Sequence, residues 1–278
     1  MRVLVAGASG QLAHAVRRTW LDHELILPEE SVLDLTKREA IFSVVKAVQP
    51  QVLINCAAYT QVDRCESEGD LAQLINATAV GWLAEACEAQ GALLVQISTD
   101  YVFDGRGTRP YREADPTNPV SAYGRTKLAG EQQAAHCSRH LIARTSWLYD
   151  AWGKNFLNTM VNAASQGRAL RVVADQRGAP TTCRALARQL KVAAEEGWHG
   201  LVHTTCQGET SWHGFAQAIF EAKGMTVDQS PCTTADYPTP ATRPAYSVLD
   251  GRRRKSLGTD LMPDWQQALR EVIDHPEL

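Results

Sequence analysis

A tyrosine and a lysine four positions apart, Tyr123 and Lys127, are the residues in this sequence best suited to acid–base chemistry. On a helix this spacing places both side chains on one face, about one turn apart. An ammonium beside the phenol would stabilise the phenolate and lower the tyrosine's pKa from its usual value of about 10. Such a tyrosine exchanges a proton with an alcohol or alkoxide near neutral pH. The pair alone is a weak signal, because many surface helices carry one by chance.

A second group of polar residues follows the strand predicted over residues 93–97, where Ser98, Thr99 and Asp100 stand. In an open parallel sheet, ligands bind outside the carboxyl ends of the strands. Hydroxyls at this position can therefore point into a site, where one would hydrogen-bond a substrate carbonyl oxygen. Trp147 follows the next strand along the chain. It is either core filler or a stacking platform for a flat ligand.

A nucleotide-binding turn is predicted at the beginning of the chain. The apolar strand 2–6 runs into a turn of spacing G-x-x-G-x-x-A, formed by Gly7, Gly10 and Ala13, and a helix follows to about Leu21. This arrangement brings a pyrophosphate onto backbone N–H groups at a helix N-terminus. Gly7 allows the tight turn, Gly10 allows the close approach of the phosphate, and Ala13 allows the helix to pack on the sheet. We therefore predict that the chain binds a dinucleotide.

The form of the nicotinamide cofactor stays open at this point. Glu29 and Glu30 stand just beyond the second strand, where an acid can hold the ribose diol of NAD. No basic residue occurs there to meet a 2′-phosphate, which weakly favours NADH. Arg17 and Arg18 on the first helix could still reach such a phosphate, so both NADPH and NADH remain candidates.

Two polar positions each have two interpretations. Asp34 precedes a helix predicted to open at Thr36, and it is either an acid at the helix N-terminus or an acceptor for the adenine amino group. Asn76 interrupts the buried face of a helix predicted over residues 69–90. A buried amide needs a partner, so Asn76 is either a structural hydrogen bonder or part of a proton relay. The small residues 56–60 suit either a loop lying against the cofactor or simple tight packing.

Alternating strands and helices over residues 1–150 predict an α/β fold, a Rossmann-type doubly wound parallel sheet that binds the dinucleotide. Beyond that point the alternation loosens, so residues 151–278 are expected to form a smaller C-terminal substrate-binding lobe. Within it, residues of about 183–208 are expected to return to the main sheet through a late strand at 200–205. The loop 105–119 is rich in glycine and proline. We therefore expect a surface loop, which could act as a flap over the site.

Composition excludes several classes of protein. The net charge of −3 gives no reason to expect nucleic acid or an anionic membrane as a partner. No apolar run approaches the ~20 residues that span a bilayer. The seven cysteines are odd in number and lack a C-x-x-C pair, which indicates reduced thiols and a cytoplasmic location. The eight histidines lack metal-ligand spacing, so no metal site is expected.

Taken together, these motifs resemble the extended short-chain dehydrogenase/reductase family, and within it the dTDP-4-dehydrorhamnose reductases. The resemblance extends over nearly the whole chain, and its later motifs are far more specific than the glycine turn. The matching segments are 7–12, 55–60, 62–66, 98–103, 123–131, 144–149, 175–181 and 237–244.

The resemblance implies a reaction and a set of site residues. The reaction is the NAD(P)H-dependent reduction of the C4 keto group of a dTDP-4-dehydro-6-deoxy sugar, which serves the synthesis of rhamnose-containing polysaccharide. Thr99, Tyr123 and Lys127 would be catalytic, with Thr99 favoured over Ser98, and Thr99, Asp100 and Trp147 would contact the sugar nucleotide. The residues implied to line the cofactor are Gly7, Gly10, Gln11, Leu12, Asp34, Leu35, Ala58, Tyr59, Thr60, Tyr123 and Lys127.

Two departures limit what the resemblance implies. Cys56 stands where the family usually has alanine, and Ala15 stands where some members carry a glutamate linked to a magnesium-dependent dimer contact. Neither a metal nor that dimer is therefore implied, although a homodimer stays open. The alternatives are a reductase of another nucleotide-linked 4-keto sugar, and a non-catalytic cofactor-binding subunit resembling the regulatory subunit of methionine adenosyltransferase. The intact set of Thr99, Tyr123 and Lys127 weighs against the latter.

Overall fold

Strands and α-helices alternate through the first half of the computed structural model, which describes residues 1–277. The strands are β1 (Arg2–Ala6), β2 (Glu24–Ile26), β3 (Val52–Asn55), β4 (Leu93–Thr99), β5 (His140–Thr145), β6 (Leu148–Tyr149), β7 (Leu170–Val173), β8 (Arg177–Gly178), β9 (Thr181–Thr182), β10 (Gly200–His203), β11 (Thr210–Ser211) and β12 (Gln229–Cys232). The helices are α1 (Gln11–Thr19), α2 (Arg38–Val48), α3 (Gly69–Gln73), α4 (Ala79–Gln90), α5 (Ala122–Ala134), α6 (Phe156–Ser165), α7 (Cys183–Glu195), α8 (Trp212–Ala222), α9 (Arg252–Leu257) and α10 (Trp265–Asp274).

Six of the strands form one parallel sheet in the order β10–β5–β4–β3–β1–β2. Both faces of this sheet are buried, and successive residues of β1 point to opposite faces. Val3 and Val5 pack in the core that contains α1 and α7, and Leu4 packs in the core that contains α2 and α4. Burial on both faces explains why these strands read as continuous apolar runs. The predicted doubly wound α/β fold is confirmed.

The chain reverses direction across the sheet next to β1. From β1 it passes to β2 on one side, and then crosses back to β3 on the other. A reversal of this kind leaves a crevice at the carboxyl ends of the two central strands, where ligands bind in open α/β sheets. Gly7, which follows β1, has a φ of +79°, and a Cβ atom there would lie 2.7 Å from the backbone nitrogen of Ala57. Only glycine therefore allows the two strand ends to approach this closely.

Part of the C-terminal half of the chain joins the main sheet. β10 pairs in parallel with β5, and α7 packs against α1 on the same face. A separate core holds the rest, and it is built from apolar residues of α6, α8 and α10 such as Leu157, Phe215 and Leu269. None of the helices within residues 1–277 combines the length and the apolar character needed to cross a membrane.

Two of the predicted helices differ in detail from the structure. The helix expected over residues 69–90 is interrupted by a π-helical turn, Leu74–Thr78, and Asn76 lies within that turn. Such π turns occur often at functional sites. The helix expected from Thr36 instead begins at Arg38, because Asp34 Oδ1 accepts hydrogen bonds from both the backbone nitrogen and the hydroxyl of Thr36. These bonds hold a turn where the sequence suggested a helical residue.

The loop 105–119, which the sequence suggested as a flap, is attached to the C-terminal part of the chain. The backbone nitrogen of Tyr111 donates to Val248, and the nitrogen of Asp250 donates back to Tyr111. The Tyr111 ring is buried and stacks on Phe103 with ring centroids 4.1 Å apart. The middle of the loop is therefore anchored to the C-terminal part of the chain, so its mobility as a unit is restricted.

Candidate active site

Helix α5 carries Tyr123 and Lys127 and lies against the end of β4. The helix begins after Ser121, whose hydroxyl accepts a hydrogen bond from the backbone nitrogen of Gly124. A Cβ atom at Gly124 would lie 2.2 Å from the carbonyl oxygen of Tyr101, so glycine permits the close contact between this helix and the turn after β4. The catalytic candidates on the helix and those on the strand are thereby brought together.

Ser98 and Thr99 point in opposite directions, as consecutive strand residues must. The Ser98 hydroxyl is buried and donates to Glu131 Oε1 at 2.5 Å. The Thr99 side chain instead lies near the Tyr123 phenol and beside Asp100, to whose Oδ1 its hydroxyl donates at 3.0 Å. The structure therefore brings Thr99, and not Ser98, to the tyrosine.

Burial dominates the acid–base properties of Tyr123. Desolvation raises the pKa of its phenol above the ordinary value, and the nearby Thr99 side chain acts in the opposite direction. The ring of Tyr101 meets the ring of Tyr123 edge-on, with centroids 5.7 Å apart. The net shift of this pKa is therefore upward, whereas the spacing of Tyr123 and Lys127 suggested a lowered value.

The ammonium of Lys127 is buried and is directed at the sheet. Its Nζ donates to the carbonyl oxygen of Ile97 at 2.6 Å, and only 3% of the residue is exposed. Burial lowers the pKa of Lys127 to about 8, because the charged form loses its hydration, and the nearby Glu131 carboxylate partly opposes this effect. Lys127 therefore titrates close to the pH range in which enzymes usually work.

Asp100 lies directly after the strand, next to Thr99, and is 1% exposed. Burial raises the pKa of its carboxyl group from 3.8 to about 6. A carboxyl group that is partly ionised near neutral pH and lies beside a catalytic candidate is well placed to hydrogen-bond the hydroxyl groups of a sugar.

The raised pKa of Asp100 predicts how stability depends on pH. The folded state binds the proton more tightly than the unfolded chain, so the free energy of unfolding falls as pH rises from about 4 to 6. Asp100→Asn removes the buried charge, and at pH 7.5 the variant should be more stable than the wild type by about 1–3 kcal/mol. Urea denaturation at pH 7.5 and at pH 4 measures the difference, which should vanish at the lower pH. An advantage that persists at pH 4 would contradict the assignment.

The glycine-rich turn presents a free helix N-terminus to the crevice beside β1. Gly10 precedes α1, and within residues 1–277 no side chain caps the first turn of this helix. The backbone N–H groups there are available to an anion. The side chain of Leu12 is buried in the core, so it is the backbone of this residue that faces the turn. Gln11 hydrogen-bonds Asn155 at 2.8 Å and links the turn to the beginning of α6.

The loop after β3 is held in place by Asn76. The Oδ1 atom of Asn76 accepts from the backbone nitrogen of Tyr59 at 2.8 Å, and its Nδ2 donates to the Tyr59 carbonyl and to the hydroxyl of Thr126, each at 3.1 Å. Asn76 is thus a structural hydrogen bonder that connects this loop to α5. Ala58 and Tyr59 are half-buried and Thr60 is exposed, so the loop borders the crevice rather than filling it.

The pair Asp34 and Leu35 lies at the far end of the predicted cofactor site. Asp34 accepts from Thr36 and forms an ion pair with Lys37 at 3.0 Å, and the hydrogen bonds with Thr36 are the main cause that lowers its pKa to about 2. These contacts fit the interpretation of Asp34 as an acid near a helix N-terminus. The Leu35 side chain is buried under α2, which leaves its backbone as the part that could face a ligand.

Trp147 adopts a strained backbone conformation at the end of β5. Its φ is +49°, a region that residues other than glycine seldom occupy. One face of its indole stacks on Trp212 with ring centroids 3.5 Å apart and an angle of 6° between the planes. A Cβ atom at Gly178 would lie 2.5 Å from the same ring, so Gly178 leaves room for it. The half-buried indole is therefore fixed rigidly at the strand end.

Comparisons with known proteins agree with this geometry. The family model described as RmlD substrate binding domain matches residues 1–277. The chain belongs to this family. A dTDP-4-dehydrorhamnose reductase of Burkholderia thailandensis is 41% identical, over 97% of this chain and 97% of its own length. A probable dTDP-4,6-dihydroxy-2-methyloxan-3-one 4-ketoreductase of Streptomyces antibioticus is 40% identical, over 98% of this chain and 95% of its own.

Solved structures of the same family superimpose closely. The crystal structure of dTDP-4-dehydrorhamnose reductase from Bacillus anthracis, in complex with NADP, covers 99% of both chains with a TM-score of 0.96 and 35% identity. The agreement extends over the C-terminal half, where the alternation of strands and helices is least regular.

One contact between distant segments of the chain was not predicted from the sequence. Arg243 forms two hydrogen bonds with the carboxylate of Asp63, at 3.0 and 2.9 Å, and the backbone nitrogen of Ala241 donates to the same group. This pair ties the segment after β3 to the proline-rich segment near the C-terminus. Both segments belong to the motifs that matched the family, and that match was the only signal pointing to the contact.

One group of side chains has the composition of a metal site. Asp22, His23 and Glu195 place one potential ligand atom each within 4.8 Å of the others. The ammonium of Lys191 lies 2.5 Å from Asp22 Oδ1 and 3.9 Å from Glu195 Oε1. A lysine already provides the positive charge for these carboxylates, so the cluster is an ion-pair network at the edge of α7.

Proposed function

We propose that this chain reduces the C4 keto group of dTDP-4-dehydrorhamnose to the alcohol, which gives dTDP-L-rhamnose for polysaccharide synthesis. The observation that supports this most strongly is the meeting of Thr99 and Tyr123 at the carboxyl end of β4, one helical turn from Lys127. Relatives that are 36–41% identical over nearly the full chain bear the name of this reductase, which supports the same reading.

The chain's own residues supply a proton and hold the carbonyl. Thr99 would hydrogen-bond the C4 oxygen, and the Tyr123 phenol would donate its proton as negative charge develops on that oxygen. Lys127 would stabilise the resulting phenolate by its charge. The net change is one hydride added to carbon and one proton added to oxygen.

A nicotinamide dinucleotide fits the crevice beside β1. Gly7 leaves a cradle that a Cβ atom would fill, and the uncapped N-terminus of α1 suits a pyrophosphate. When bound, the cofactor supplies the hydride. Gly7, Gly10, Gln11 and Leu12 would hold the pyrophosphate through their backbone, while the residues at 34–35 and 58–60, with Tyr123 and Lys127, would line the rest. NADPH is supported by the NADP complex of the Bacillus anthracis relative, and NADH remains a candidate.

Substrate binding is proposed to involve Asp100, Trp147 and the C-terminal part of the chain. In the proposed domain organisation, residues 1–150 bind the dinucleotide and residues 151–278 bind the sugar nucleotide. Residues of about 183–208 return from the second part to the main sheet. The position of Trp147 at the border between the two supports this division. We also propose that the protein acts in the cytoplasm. The candidate oligomeric state is a homodimer, and light scattering would measure it.

Trp147→Ala should weaken binding of the sugar nucleotide about tenfold or more, with little effect on the nicotinamide. The indole offers a rigid aromatic face at a strand end away from the glycine turn, and its loss removes a stacking surface. Isothermal titration calorimetry with dTDP-rhamnose and with NADPH measures both affinities. Trp212→Ala is the matched control, because it removes the supporting ring without removing the proposed contact. Equal losses for the two ligands in Trp147→Ala would identify Trp147 as core filler.

A sister reaction is the second candidate. The Streptomyces antibioticus relative, at 40% identity, is named as the probable 4-ketoreductase of a different dTDP-linked sugar. Such an enzyme would use the same Thr99, Tyr123 and Lys127 and would differ only in the walls of the sugar pocket.

The deciding experiment is a panel of nucleotide-linked 4-keto-6-deoxy sugars crossed with NADPH and NADH. Oxidation of the cofactor is followed by the loss of absorbance of the reduced nicotinamide, and the sugar product is identified by NMR. Turnover with dTDP-4-dehydrorhamnose exceeding that of the other sugars supports the proposal, and a preference for another sugar supports the sister reaction. Tight cofactor binding without any turnover would instead support the regulatory-subunit interpretation.

A further inference from the structure

Helix α5 is fixed on β4 through three consecutive strand residues. The carbonyl oxygen of Ile97 accepts from Lys127, the hydroxyl of Ser98 donates to Glu131, and the side chain of Thr99 lies near the phenol of Tyr123. The three helix residues are four positions apart, so they form one continuous row along the helix. The row extends beyond the two residues of the catalytic motif, and Glu131 is its third member.

Glu131 is a buried carboxylate with a full set of partners. It is 6% exposed, and its oxygens accept from Arg144 Nε at 2.8 Å and Nη2 at 2.7 Å in addition to Ser98. Arg144 is 3% exposed, and its guanidinium lies 5.1 Å from the centre of the Phe103 ring. A side-by-side ion pair of this kind, with two parallel hydrogen bonds, holds a carboxylate in a fixed place.

Lys127 needs such a charge, because a buried ammonium is costly without a compensating carboxylate. Its direct partner, the carbonyl of Ile97, is a dipole and carries no net charge. Ionisable groups near Lys127 include Tyr123, Arg125 and Glu131 on the same helix, and Asp100 and Tyr101 directly after β4. The other elements packed against α5 contribute Arg144 on β5, Arg64, Cys65 and Glu66 in the turn before α3, Asp70 on α3, and Glu85 and Glu88 on α4, while His203 on β10 lies behind Arg144. Of these groups, Glu131 is the one that raises the pKa of Lys127.

We propose that Glu131 is a positioning residue for the proposed reduction, on which this inference rests: its carboxylate keeps Lys127 charged, and its bond to Ser98 holds the helix in register with β4. Glu131 acts through Lys127 and contacts neither substrate nor cofactor. The Arg144 side chain in turn fixes the carboxylate.

The test separates charge from geometry. Glu131→Gln removes the charge but retains an oxygen that can accept from Ser98, whereas Ser98→Ala retains the charge and removes the hydrogen bond. The pKa of Lys127 is measured directly by NMR, from the Nζ chemical shift of protein labelled with ¹³C,¹⁵N-lysine and assigned with Lys127→Met. In Glu131→Gln the titration midpoint of Lys127 should fall by about one pH unit, and in Ser98→Ala it should stay within a few tenths.

Activity provides the second measurement. The alkaline limb of kcat/KM for keto-sugar reduction should move to lower pH in Glu131→Gln by the same amount, because the lysine loses its proton earlier. Because Glu131→Gln leaves the Arg144 cation unpaired, the double variant Glu131→Gln/Arg144→Met is measured as well, and its Lys127 midpoint should also fall. An unchanged midpoint in both variants, or an equal fall in Ser98→Ala, overturns the inference. The NMR titration does not depend on turnover, so an inactive wild type would refute the proposed function and not this result.

Discussion

Tyr123→Phe should lower kcat for keto-sugar reduction by about 10²–10⁴-fold, the range that general acid catalysis usually contributes. Only the hydroxyl is removed, while the ring and its edge-on contact with Tyr101 remain. The fold should therefore be unchanged, and the affinity for NADPH should change by no more than a few-fold. Stopped-flow oxidation of NADPH measures the rate, and a fluorescence titration measures the affinity.

Tyr101→Phe is the matched control for this experiment. Its phenol lies beside the same ring, but its backbone and not its hydroxyl makes the contact with Thr99. Its rate should stay within a few-fold of the wild type. A Tyr123→Phe variant with nearly full activity would show that another group donates the proton.

The features that depend on local structure could be predicted from the sequence. The strand, the glycine turn and the helix at the N-terminus are predictable because Gly7 needs a positive φ and the flanking segments have clear periodicity. The shared face of Tyr123 and Lys127 on helix α5 is likewise predictable, since their spacing places them together whatever surrounds them. The resemblance to a family covered the C-terminal half, where local patterns are weak.

The environment of those residues was not predictable from spacing. Whether Ser98 or Thr99 meets the tyrosine depends on the register of β4 against α5, which many distant contacts determine. The stacking of Trp147 on Trp212 and the pairing of Glu131 with Arg144 join residues that no local pattern relates. The direction of the Tyr123 pKa shift was not predictable for the same reason, because burial is a property of the whole fold and here raises that pKa.

Lys127→Met should produce two separate defects. Methionine keeps much of the apolar stem of lysine and removes the ammonium. The ammonium is one helical turn from Tyr123 and is proposed to reach the ribose hydroxyl groups of the cofactor. Loss of charged hydrogen bonds should weaken NADPH binding about 10–100-fold. Loss of the charge beside the phenolate should lower turnover at pH 7 by about 10²–10³-fold.

The pH profile distinguishes these defects from general damage. In the reverse, alcohol-oxidising reaction the tyrosine must act as a base, and its pKa rises further when the neighbouring positive charge is removed. The acidic limb of that profile should therefore move to higher pH in Lys127→Met. Arg125→Met is the matched control, because it removes an exposed cation from the same helix, and its profile should match the wild type. If the profile of Lys127→Met also stays in place, the ammonium at the Ile97 carbonyl holds the helix on the sheet and takes no part in the proton transfer.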